Sequence, residues 1–150
     1  MIDTIKRIIE SGAYSCVAAD EQRILYQASG MGVKPIISPM RDNRAFFRNK
    51  YVADTMVGKA AAMLLILSGA KFVYGEIMSQ SAAHVLETNG IPFACGQMVE
   101  YTKNRAGTGM CPLEQCVQGE EDPVAAWTKI ENKIAELMKA EHPSLSSTIQ

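Results

Sequence analysis

A chain of 150 residues is the size of one domain, and 47% hydrophobic with 21% charged residues is the composition of an ordinary globular protein. A formal net charge of −1 argues against a general nucleic-acid or anionic-membrane binder, which is normally basic. The four cysteines, Cys16, Cys95, Cys111 and Cys116, sit in a chain long enough to bury a core without disulfides, so free thiols and a cytoplasmic location are expected.

In chain order, Ile2, Ile5, Ile8 and Ile9 recur at helical spacing, which predicts a helix over residues 2–11, stopped by Gly12. Residues 14–19 and 23–28 read as the two strands of a hairpin turned at Asp20 and Glu21. A short helix is expected over residues 33–40, with Pro39 ending or kinking it. Residues 41–51, RDNRAFFRNKY, interleave four basic residues with three aromatics. Phe46 and Phe47 stacking on bases is one reading. The favoured reading is an edge segment whose aromatics pack inward beside solvated cations.

Asp54 is expected to cap a helix over residues 55–68, and Gly69 to end it. The middle, AAAMLLIL, is apolar nearly all round, so this helix should be buried on most sides. The apolar stretch 60–70 is too short to span a bilayer, which takes about 20 residues. A strand over 71–77, a helix over 79–89 and a strand region over 91–99 follow, then a polar, glycine-bearing loop at 104–109 and a helical turn at 113–117. Asp122-Pro123 starts an amphipathic helix running to about residue 141, and the polar tail 142–150 is expected to fray. The alternation predicts one α/β domain over the whole chain, a three-layer α/β/α sandwich around a mixed sheet.

Four places carry candidate chemistry. Asp54, Gly58 and Lys59 sit at an expected helix N-terminus, where free amides and the dipole suit an anion; helix packing at Gly58 is the competing reading. GTGMCPLEQC, residues 107–116, offers the Thr108 hydroxyl, the Cys111 thiol at a helix cap and the Glu114 carboxylate, or else a turn with a buried cysteine. Glu76, near the end of its strand, would line a crevice with Lys59, Cys111 and Glu114. His84 and Glu87 share a helix face, but no second ligand pair has zinc-like spacing, so a surface histidine is the better reading and no metal or cofactor is expected.

The string VADTMVGKAAAMLLILSGAKFVYGEIMS, the Asn89-Gly90 helix end and NRAGTGMCPLE together resemble an uncharacterised family of the cytidine deaminase-like superfamily, from about Ile5 to Val117. The resemblance implies the three-layer fold. Active members of that superfamily carry HxE and PCxxC at two helix starts, holding zinc and shuttling protons. Here those starts read Gly58-Lys59-Ala60 and Ser79-Gln80-Ser81-Ala82, so zinc-dependent deamination is not expected.

The leading expectation is a metal-free domain that binds a small ligand, a nucleotide or another anion. Asp54, Gly58 and Lys59 would hold it, with Thr108, Cys111 and Glu114 closing the site. The alternatives are an enzyme with Cys111 as nucleophile and Glu114 or Glu76 as acid–base partner, and an oligomeric interaction protein with a vestigial pocket. A homo-oligomer is expected from the exposed hairpin face and the apolar helix; membrane and nucleic-acid partners are not.

Overall fold

The structure, a computed structural model, describes residues 1–141. Helix α1 (Ile2–Glu10) leads into the hairpin β1 (Cys16–Ala19) and β2 (Ile24–Ala28), then α2 (Lys34–Asp42). Three strand–helix steps follow: β3 (Tyr51–Val57) with α3 (Lys59–Ser68), β4 (Phe72–Ser79) with α4 (Gln80–Thr88), and β5 (Phe93–Val99) with the short α5 (Pro112–Cys116). The long α6 (Pro123–Glu141) closes the described chain. The polar tail expected to fray lies outside the described residues.

The five strands form one sheet in the order β2-β1-β3-β4-β5. β1 pairs antiparallel with both β2 and β3, whereas β3, β4 and β5 run parallel. Parallel neighbours need a crossover, and the apolar helices α3 and α4 supply it. One sheet face packs on α1 through Ile5 and Ile9 against Val17, Ala53 and Tyr74. The other carries the larger core, where Ile36, Met63, Leu64, Leu86 and Ile130 bring in α2, α3, α4 and α6. The sheet is therefore mixed and open, with helices on both faces.

α3 is apolar all round because it is enclosed. Ala60 to Leu65 are all buried, and the helix lies against α2, α4, α5 and α6. Its apolarity is satisfied inside the chain, which removes it as an argument for an oligomer. Gly69 ends it as the spacing predicts, in the left-handed region at φ 86°, with its amide and that of Ala70 donating to the Leu65 carbonyl.

Two expectations need correction. Asp54 does not cap a helix: β3 runs on to Val57, and the helix starts four residues later than the Asp54-Thr55 pair suggests, with Gly58 as its cap residue. The strand wins because Asp54 is held from both sides, opposite Cys16 of β1 and Gly75 of β4, and Val52 and Val57 pack into the core. Pro39 does not end α2; the helix continues to Asp42. Proline lacks the N–H that would reach the Pro35 carbonyl, and the Tyr26 hydroxyl donates to that carbonyl instead, at 2.7 Å. The basic-aromatic segment packs as expected, with its aromatics inward: it leaves the end of α2 and runs through turns into β3. Phe47 is fully buried, and Tyr26, Phe46 and Phe47 stack edge-to-face at 4.9–6.0 Å between centroids. Arg41 pairs with Glu131 at 2.6 Å, and Arg44 lies over the Trp127 ring.

Candidate functional site

In an open α/β sheet, ligands sit in the crevice outside the carboxyl ends of the parallel strands. Here a cleft of about 360 Å³ lies at that edge. β3 delivers Lys59, β4 delivers Ser81, and β5 delivers Glu100 and Tyr101, each within three residues of its strand end. Met110 and the Gln118-Gly119 turn complete the lining.

Lys59 is the first residue of α3 and is only 7% exposed. Among the described residues its ammonium has no carboxylate within 4.0 Å and no hydrogen-bond partner, and it opens onto the cleft. A buried lysine stem with an unpaired ammonium is costly unless the charge reaches water or a ligand. Glu100, which also lines the cleft, is exposed and has no ion-pair partner among the described residues.

The N-terminus of α3 is already occupied. Glu114 of α5 is 3% exposed, and its Oε2 accepts from the Lys59 amide while its Oε1 accepts from the Thr102 amide at 3.0 Å. A carboxylate from the chain itself thus fills the anion seat that the dipole and free amides create. Gly58 makes this approach feasible. A Cβ there would lie 2.8 Å from Glu114 Oε2 and 2.9 Å from Thr102 Oγ1. Its backbone is extended, at φ −87° and ψ 179°, so the need for glycine is steric, not conformational. The expectation of a ligand anion on the Gly58 and Lys59 amides is therefore replaced: Glu114 is the anion at that helix end.

α4 differs. The Ser79 side chain caps it by accepting from the Ala82 amide at 3.1 Å. The amides of Gln80 and Ser81, in its first turn, have no intrahelical acceptor, and Ser81 lines the cleft beside Lys59.

The remaining expected site residues do not gather here. Glu76 lines a separate cleft of about 350 Å³ with Glu10 and Tyr74, the latter packed on the α1 face of the sheet. Thr108 is exposed in a loop, where its hydroxyl accepts from the Asn104 side chain at 3.1 Å. The buried threonine near Gly58 is Thr102 instead. Cys111 is half-buried at the cap of α5, which has only five residues and so a weak dipole. It does not line the cleft, although its neighbour Met110 does.

Asp54 is 3% exposed inside the sheet. Its Oδ1 accepts from the Met56 amide at 3.1 Å, and its Oδ2 has no hydrogen-bond partner among the described residues. Burial pushes its acid up to about 7. Burial first, and the neighbouring Asp54 second, holds the Cys16 thiol well above its usual range. Asp54 is a buried acid of the core, not a ligand contact of the cleft.

His84 and Glu87 are both exposed on α4. Among the described residues no group of three His, Cys, Asp or Glu side chains is placed to hold a metal ion. None of the helices described there is long and apolar enough to cross a membrane.

A protein-family comparison matches residues 4–134 to the domain of unknown function DUF1893, typified by TM1506. The chain belongs to the DUF1893 family. The crystal structure of a DUF1893 family protein from Thermotoga maritima superposes on this DUF1893 domain with a TM-score of 0.77, covering 90% of this chain and 88% of that one at 23% identity. That likeness speaks for the fold of the DUF1893 domain alone. No curated protein matches it.

Proposed function

We propose that this DUF1893 domain binds a small anionic molecule in the cleft at the carboxyl ends of β3, β4 and β5, and that it does so without the zinc-activated water of deaminases. The observation that carries the reading is Lys59, a nearly buried lysine whose unpaired ammonium faces a cleft of ligand size, about 360 Å³. The apolar faces of Tyr101 and Met110, with the polar ends of Ser81 and Gln118, provide the usual mixture of a small-molecule site.

The architecture behind this reading is deaminase-like. The order β2-β1-β3-β4-β5, an antiparallel β1 and two helix N-termini beside the cleft all support that assignment. The residues at those helix starts do not fit zinc. Gly58, Lys59 and Ala60 offer no ligand, Ser79 to Ala82 offer hydroxyls and an amide, and Glu114 is engaged by two backbone amides. What remains at the site is charge recognition.

The test is thermal stabilisation of the full chain by inorganic phosphate, small carboxylates and mononucleotides, repeated with Lys59→Gln. At least one anion is expected to raise Tm in proportion to its occupancy. Loss of a charge-assisted contact of about 1.5–3 kcal/mol should weaken that ligand roughly tenfold to a hundredfold in the variant. Equal binding by wild type and Lys59→Gln would overturn the assignment.

A further inference from the structure

Resting on that reading, we infer that the ligand is a small zwitterion, carrying one oxyanion and one protonated amine. The cleft presents both signs of charge. Lys59 and Glu100 both line it, and the two are not within ion-pair distance of each other. Neither has any other side-chain partner among the described residues. A cation and a carboxylate that line one cleft without pairing are complementary to a molecule with opposite ends, because each end meets an opposite charge and neither meets its own.

The oxyanion end has a second support besides Lys59. The first-turn amides of α4 at Gln80 and Ser81 lack intrahelical acceptors, and Ser81 lines the same cleft as Lys59. The equivalent end of α3 cannot serve, because Glu114 fills it. The anion is therefore seated at α4, not α3. Glu100 also sets an upper limit on ligand charge. Further phosphates reaching past Lys59 would run toward a carboxylate, which disfavours a nucleoside di- or triphosphate and favours a single anionic group. Tyr101 and Met110 give the same cleft apolar surface, which suits a short apolar spacer.

The oxyanion is a phosphate or a carboxylate, and O-phosphoethanolamine and β-alanine carry the two. Titration calorimetry of the full chain compares each with its amine-free half, inorganic phosphate or acetate, in wild type, Lys59→Gln and Glu100→Gln. Glu100 is exposed, so its variant leaves the fold intact. One zwitterion is expected to bind about tenfold or more tightly than its half, the worth of one charge-assisted contact. Glu100→Gln should abolish that advantage without weakening binding of the half, and Lys59→Gln should weaken both. If zwitterion and half bind equally and Glu100→Gln changes nothing, the zwitterion inference is overturned while the anion reading stands. If no probe binds wild type, or Lys59→Gln changes nothing, the anion reading falls and this inference with it.

Discussion

At the scale of single residues, the most unusual group is Asp54. A carboxyl that is buried and half-satisfied resists ionisation, and its folded pKa of about 7 lies well above the roughly 3.9 of an unfolded aspartate. Below about pH 4 it is protonated in both states and leaves stability unaffected. Between there and about 7 the folded chain keeps a proton that the unfolded chain releases, so this group's contribution falls as pH rises and is fully lost above that range. The total is a few kcal/mol, at about 1.4 kcal/mol per pH unit. Asp54→Asn should remove this slope. Urea unfolding at a series of pH values is expected to show the variant gaining on wild type from acid to neutral pH. Parallel stability curves for the two proteins would contradict a buried, proton-holding Asp54. Little of this was legible beforehand. An Asp-Thr pair ahead of an apolar run reads as a helix cap, and nothing local reveals that the strand extends through it.

Among the elements, the β3–α3 boundary shows what sequence periodicity can and cannot place. The existence of α3, its burial and its glycine stop were all legible, because AAAMLLIL has no polar face and Gly69 follows it. Its start was not, because the true cap is Gly58, whose partner Glu114 lies far along the chain. A contact of that range leaves no local signature. Glu114 joins α3, α5 and the segment after β5 at one point, and both its oxygens are engaged. Glu114→Ala should leave two buried amides unsatisfied, at about 1–3 kcal/mol each. Gly58→Ala should cost a similar amount, since its methyl would displace the same carboxylate. Denaturant unfolding of the two single variants and the double variant checks this. The double variant is expected to lose much less than the sum of the singles, because both remove one interaction. Full additivity would contradict the shared contact. α2 carries a similar long-range dependence: Pro39 is tolerated because a tyrosine from β2 satisfies the carbonyl it orphans.

On the scale of the whole molecule, the parallel half of the sheet sets where chemistry can occur. Lys59 was identifiable in the sequence because a lysine beginning an otherwise buried helix needs a reason. Glu100 was not singled out, although the last strand was expected to end at Val99, as it does, and the strand-end rule that pointed to Glu76 reaches the very next residue. Glu76 belongs to the other cleft because it sits on β4 ahead of the strand's end, with Tyr74 of the α1 face beside it. Thr108 and Cys111 were grouped with the site on their proximity in sequence, but the loop carries Thr108 away and presents Met110 to the cleft. The charge of −1 therefore says little about recognition here; what matters is that one lysine and one glutamate face the same small volume.

The most direct measurement is an amide NMR titration of the full chain with O-phosphoethanolamine and, in parallel, β-alanine. Binding in the cleft is expected to shift the amides of Gln80, Ser81 and Tyr101 in a saturable way, while the Lys59 amide, held by Glu114, moves least among the cleft residues. Shifts confined to the other cleft around Glu76 and Gly96, or no saturable shift at all, would contradict an anion site at the carboxyl ends of β3, β4 and β5.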